Sequence, residues 1–384
     1  MKIDEIRFDC RYYTGFKPCG KSLECKDCSS YAPRGKRVLI IKLGAMGDVL
    51  RTTPLLRAIK QDNSPSFITW LTDEASRPLL ADNHHIDRLL TFNLAHVLPI
   101  LAEEFDVLYN FEKEPRALAL ASLIKSSEKR GFCLNSFGTM GIFNKESEYA
   151  LILGIDDELK FSANTKTYQE IVFEIAGFQY NHEEYVLDLT ERAIQFGKQF
   201  HDSFYLERFG YLVGIHPGSG SVFRTKLWSI QGWVELLINL VQDDRIGIIL
   251  MGGAAERELN QSILQYLGAY RRSIIDSGTD NTIEQFCGIM NCCDLVVSLD
   301  SLAMHIAIGL RKKVVALFGP TAPQEIDLYS RGTIIMAPEE CAPCYKSSCT
   351  RFPRCMDNIS GEMVASTVKE LLFGSVETES PEEK

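Results

Sequence analysis

No stretch of this sequence holds the ~20 consecutive apolar residues that a membrane-spanning helix needs. Met1-Lys2-Ile3-Asp4-Glu5 has no apolar signal core behind it, so the expected location is the cytosol. Positive charge is in deficit: 41 Lys and Arg stand against 51 Asp and Glu, for a net charge of -10. Phosphate backbones are bound with an excess of Lys and Arg, so the balance argues against nucleic acid as a partner. It also argues against a broad grip on acidic lipid, although a local patch such as Arg311-Lys312-Lys313 leaves peripheral membrane contact open.

Cysteine, by contrast, is plentiful, with 12 residues. In a reducing compartment these are not expected to form a disulfide framework, and metal binding becomes the leading reading for the clustered ones. Cys10-x8-Cys19-x5-Cys25-x2-Cys28 and Cys341-x2-Cys344-x4-Cys349-x5-Cys355 each bring four thiols, enough to close a tetrahedral structural site, and each contains a Cys-x2-Cys half-motif. The bland alternative is two groups of unrelated thiols. Zinc and iron both suit such ligands, and the sequence does not choose between them. Around the second set, Pro343, Lys346, Ser347, Ser348, Arg351, Pro353 and Arg354 are too polar to hold the segment by burial. A metal would supply that stability, and the set is expected to lie away from the chemistry. Cys133, Cys287, Cys292 and Cys293 lie in apolar stretches and read as core.

The length of 384 residues accommodates two domains. Short apolar runs at 37–42, 66–72, 87–92 and 106–111 alternate with helical patterns, including one at 165–177. A second alternating series has strands at 211–216, 245–251, 273–276, 294–299 and 313–318. Such alternation predicts parallel sheets covered by helices, so the expected fold is α/β with two Rossmann-like domains facing across a cleft. The expected limits are a cysteine-rich segment 1–33, a first domain 34–190, a connector helix 191–207, a second domain 208–372 carrying the cysteine finger 341–355, and a disordered acidic tail 373–384.

The turn Leu43-Gly44-Ala45-Met46-Gly47-Asp48 joins the first strand to a helix. Gly44 and Gly47 suit a tight turn and close approach to a ligand, and the helix N-terminus suits an anion. The third glycine of a dinucleotide turn is missing, and Asp48 stands where it would repel a phosphate. Its carboxylate therefore serves a hydroxyl or simply caps the helix. In the second half, three strand ends carry chemistry. His216-Pro217-Gly218-Ser219-Gly220-Ser221, followed by Lys226, offers backbone N–H groups and a cation to phosphate. Gly252-Gly253-Ala254-Ala255-Glu256 places an acid for ribose hydroxyls or for a first helical turn. Asp300-Ser301, with His305 one turn on, sits where open α/β sheets bind ligands. Ser301 also suits a cap, and His305 reads more readily as a packed residue.

Taken in order, Lys42 to Pro54, His216-Pro217-Gly218-Ser219 with Lys226-Leu227-Trp228, Asp300-Ser301 with Met304-His305, and Phe318-Gly319-Pro320-Thr321 resemble glycosyltransferase family 9, the ADP-heptose:lipopolysaccharide heptosyltransferases. The resemblance spans roughly 36–372. It implies a GT-B fold, an acceptor site on the N-terminal domain and ADP-heptose on the C-terminal one. It further implies inverting transfer without a catalytic cofactor or metal, in keeping with the absence of any Asp-x-Asp pair. On this resemblance Asp48 matches the general base, with Gly44, Met46, Gly47 and Arg51 around the acceptor. Lys226 matches the contact to the donor phosphates, and Gly218, Ser219, Glu256, Asp300, Ser301 and His305 match the donor site. Where the family usually has glycine after Asp-Ser or Asp-Thr, this chain has Leu302. The implied acceptor is the lipopolysaccharide inner core, at the cytoplasmic face of the inner membrane. Competing readings are a protein hydroxyl as acceptor, as in protein-modifying heptosyltransferases with an iron-holding cysteine finger, and a nucleotide-binding module without activity.

Overall fold

The computed structural model describes residues 2–22, 24–62, 65–220 and 223–374. Ser221 and the acidic tail beyond Gly374 lie outside the described residues. The chain divides into two compact units, one of residues 1–155 with 169–183 and the other of 156–168 with 184–384.

The first unit is built on strands β1 (Lys36–Ile41), β2 (Ser66–Thr72), β3 (Arg88–Thr91), β4 (Glu104–Asn110), β5 (Lys125–Leu134) and β6 (Met140–Ile142), in the order β3-β2-β1-β4-β5-β6. All neighbours are parallel except β5 and β6. The second unit carries β7 (Tyr211–His216), β8 (Ile246–Leu250), β9 (Ile274–Asp276), β10 (Leu295–Leu299), β11 (Lys313–Phe318) and β12 (Gly332–Met336), in the order β12-β11-β10-β7-β8-β9. Each sheet runs outward from a central pair, β1 with β4 and β7 with β10. This is the doubly wound order, and the crevice at the carboxyl ends of the central pair is where such sheets take ligands.

Burial on both faces explains why the central strands read as continuous apolar runs. Val38 to Ile41, and likewise Leu295 to Val297 with Leu299, are at most 1% exposed. Trp228, expected from the family motif beside Lys226, belongs to the core: its ring packs edge-on against Trp233 and its Nε1 donates to the Ile359 carbonyl at 3.0 Å.

Two arrangements differ from expectation. The segment 191–207, expected as a connector, is the helix Glu191–Ser203 followed by a short 3-10 turn, and it belongs to the second unit. It docks on the helix Ile283–Asn291 at glycines, since a Cβ on Gly197 would lie 2.4 Å from the Gly288 carbonyl oxygen. Strands β5, β6 and β12 carry no expected strand signal, because the first six residues of β5 are polar and the other two lie at sheet edges.

The cysteine-rich N-terminal segment docks at the amino ends of the first sheet's strands. Arg11 pairs with Asp87 at 3.3 Å just before β3, and the Arg34 guanidinium lies 4.8 Å from the Phe67 ring centroid.

Candidate active site

In the first unit, Lys42 follows β1 directly and the helix Met46–Thr52 begins four residues later. Ala45 is the N-cap, so Asp48 is the third helical residue, in the first turn, and not the N-cap itself. Its Oδ1 is 3.1 Å from Arg51 Nε and its Oδ2 is 3.6 Å from Lys42 Nζ. The Arg51 contact is an ion pair rather than an aligned hydrogen bond. Gly44, Met46, Gly47 and Asp48 are only half-buried, so the turn faces solvent. Gly44 has no left-handed backbone, and nothing lies within 4 Å of the position a Cβ would take. What Gly44 leaves is open space above the turn.

Two residues that the sequence did not single out for a role complete this end of the sheet. Glu112 follows β4 and is 7% exposed. Its Oε1 accepts from Lys42 Nζ at 2.9 Å, from the Leu43 N–H at 2.8 Å and from the Gly44 N–H at 3.0 Å. Lys42 also donates to the Gly44 carbonyl at 2.6 Å. A charged residue at the carboxyl end of each central strand is the signal that would have found them.

In the second unit, the loop after β7 carries Lys226 to the end of β10. Lys226 Nζ donates to Asp300 Oδ2 at 2.7 Å and to the Asp300 carbonyl at 3.3 Å. Burial pushes the Asp300 carboxyl up, but the Lys226 charge and hydrogen bond, with His305 adding to them, outweigh it and hold the carboxyl below the usual range. The structure thus unites the expected cation and the expected donor-turn acid at the switch point of this sheet.

Glu256 closes the end of β8 onto β7. Its Oε2 accepts from the Gly253 N–H at 2.9 Å, and a Cβ on Gly218 would meet its Oε1 at 2.3 Å. His216, buried beside it, is pushed down by burial while the Glu256 charge pulls the other way. Ser219 and Ser301 make local contacts: Ser219 Oγ donates to the Phe223 carbonyl at 3.4 Å, and Ser301 Oγ lies 3.0 Å from Ser298 Oγ. Ser301 is the N-cap of the helix Leu302–Gly309 without a side-chain cap bond, so the capping role expected of its hydroxyl is not filled. Leu302 opens that helix. His305 is buried with Nδ1 3.2 Å from the Tyr185 hydroxyl, the packed placement that the sequence favoured.

All four N-terminal cysteines line one cavity of about 420 Å³, and all four C-terminal ones line another of about 300 Å³. The donor chemistry fits a thiophilic ion. The present side-chain positions do not, since among the described residues no three His, Cys, Asp or Glu side chains are grouped to hold a metal. The C-terminal set, expected to lie away from the chemistry, sits beside the loop that carries Lys226. Its cavity is walled by Thr225 and Pro320, and Thr225 Oγ1 donates to the Lys346 carbonyl at 2.6 Å, one residue before Lys226.

The sequence profile of glycosyltransferase family 9 (heptosyltransferase) matches residues 94–353. The chain belongs to glycosyltransferase family 9. The profile match begins after the Asp48 turn and takes in Glu112, Lys226, Asp300 and the cysteine finger. Lipooligosaccharide heptosyltransferase 2 of Campylobacter jejuni is 27% identical over 181 residues, 46% of this chain and 57% of that protein. The match thus spans little more than half the length of that relative. Among solved structures, the family 9 glycosyltransferase of Veillonella parvula superposes with a TM-score of 0.71 at 19% identity, covering 88% of this chain and 98% of that one. The E. coli ADP-heptose lipopolysaccharide heptosyltransferase II gives a TM-score of 0.66 at 17% identity over the same shares. These likenesses establish the two-domain GT-B fold for this family member.

Proposed function

We propose that this protein transfers heptose from ADP-heptose to a lipopolysaccharide inner-core acceptor, with inversion and without a catalytic metal. Family membership and the names of its relatives support the sugar and the acceptor class. The observation that carries the mechanism is Asp48: a half-exposed carboxylate in the first turn of its helix, placed at the carboxyl end of β1 where the sheet order reverses.

Asp48 accepts the proton of the acceptor hydroxyl as that oxygen attacks the anomeric carbon. ADP leaves from the opposite face, which gives inversion in a single displacement, by the same stereochemical logic that governs inverting glycosidases. Charge builds on the departing phosphate, and Lys226 answers it. Asp300 tethers the ammonium at the strand end, so it is held ready instead of searching through solvent. Backbone groups of the loop at Gly218 and Ser219 complete the phosphate cradle, and Glu256 stands beside Gly218 for the ribose hydroxyls.

The test is incubation with ADP-heptose and inner-core acceptors, following ADP release and acceptor mass together. Asp48→Asn keeps the shape and removes the base. Turnover is expected to fall by about 10²-fold or more, the range of general-base assistance, while ADP affinity is unchanged. Near-normal turnover in this variant would remove Asp48 from the mechanism.

A further inference from the structure

Lys42 is a buried ammonium, 4% exposed, lying between two carboxylates: Glu112 at 2.9 Å and Asp48 at 3.6 Å. We propose that Glu112 is a positioning residue for Asp48, acting through Lys42 and through the backbone of the turn. This rests on the reading of Asp48 as the base.

Two features of the geometry carry it. First, Glu112 Oε1 gathers the N–H groups of Leu43 and Gly44, the two residues that open the turn leading to Asp48. Asn110 in turn holds the Glu112 backbone, its Oδ1 accepting from the Glu112 N–H at 3.2 Å and its Nδ2 donating to the Glu112 carbonyl at 3.3 Å. The turn after β1 is therefore pinned to the end of β4, and β1 and β4 are the central pair of the sheet. Second, Glu112 shares the charge of Lys42. An ammonium paired with Asp48 alone would hold that carboxylate more tightly and make it a poorer proton acceptor. With Glu112 closer and better aligned, the cation orients Asp48 without quenching it.

Of the other cations at this end of the sheet, one also bears on Asp48 and two have other partners. Arg51 meets Asp48 from the same helix, Arg116 pairs with Asp73 at 2.7 Å and with Glu114, and Lys113 donates to the Ala150 carbonyl at 3.0 Å. Glu112 is thus a carboxylate that competes with Asp48 for the charge of Lys42.

Glu112→Gln keeps an oxygen for the two N–H groups and removes the charge. The expected result is a kcat lower by about 10-fold, with the acid limb of the pH–rate profile moved down by about 0.5–1 unit, because the charge of Lys42 then bears more fully on Asp48. ADP affinity, which belongs to the second unit, stays at the wild-type value. Glu112→Asp, which keeps the charge, is expected to restore the wild-type limb even where it lowers kcat. A Glu112→Gln profile that superposes on the wild type, at unchanged kcat, overturns the proposal. So does a loss of kcat with an unmoved limb, which would mark a purely structural residue. Asp48→Asn measured beside it separates the two ideas. If that variant turns over normally, the base reading fails and takes the Glu112 role with it. If it is inactive while the Glu112→Gln limb is unmoved, only the Glu112 role fails.

Discussion

Lys226 and Asp300 come from loops more than seventy residues apart, and they meet because β7 and β10 are neighbours in the sheet. On the proposed function, a donor diphosphate approaching Lys226 would share the ammonium with Asp300. Lys226→Ala should therefore weaken ADP binding and also slow turnover, since the cation helps the transition state more than the ground state. Calorimetry with ADP beside steady-state rates checks both, and no change in either would take Lys226 out of the donor site. The same variant has an acid signature. Asp300 has its carboxyl lowered in the folded state, so it contributes stability above the ordinary aspartate range that is lost as pH falls through its lowered folded value. Lys226→Ala removes the largest cause of that lowering, so the loss of stability on acidification, starting below about pH 4, should become shallower in thermal melts. The places of Asp48, Lys226 and Asp300 after the central strands were legible in the sequence, because each follows an apolar strand with a glycine or serine nearby. Lys42 and Glu112 were not: their meaning is their contact, and 70 residues separate them along the chain.

Whole elements were legible where burial wrote them into the sequence. The central strands of both sheets stand out as apolar runs, whereas β5 opens with Lys125, Ser126, Ser127, Glu128, Lys129 and Arg130 and holds its place by pairing with β4. The helix Glu191–Ser203 shows the opposite difficulty. Its amphipathic pattern suits a free connector and a packed helix equally, and only the close approach at Gly197 and Gly288 tells them apart. A Cβ on Gly288 would lie 2.2 Å from the Ala193 carbonyl oxygen, a backbone atom that cannot swing away. Gly288→Ala should therefore cost about 1–3 kcal/mol, the usual penalty of overpacking. The denaturant midpoint of the purified protein measures it, and an unchanged midpoint would mean that the two helices have room to part.

Across the molecule the two cysteine sets occupy different kinds of place, although their spacings look alike. The N-terminal set belongs to a segment poor in core, with Phe8 57% and Phe16 92% exposed, docked at the amino ends of the first sheet. The C-terminal set sits at the carboxyl ends of the second sheet, where Cys344 and Tyr345 donate their backbone N–H groups to the Pro320 carbonyl and Thr225 reaches the Lys346 carbonyl. Within it, burial and the neighbouring thiols of Cys341, Cys344 and Cys349 push the Cys355 thiol up. Bringing either set onto a metal requires the side chains to draw inward and lose their protons, which ties metal content to pH and to folding. Protein purified without chelator is expected to carry zinc or iron, and elemental analysis at less than about a tenth of an equivalent of both together would dismiss a closed four-thiol site. The consequences of breaking the two sets should differ. Cys25→Ser with Cys28→Ser should lower the melting temperature while ADP affinity holds. Cys341→Ser with Cys344→Ser should loosen the loop that backs Thr225 and so weaken ADP binding. Equal effects of both pairs on ADP affinity would contradict this division, because the second set shares its cavity with Thr225, the residue next to Lys226.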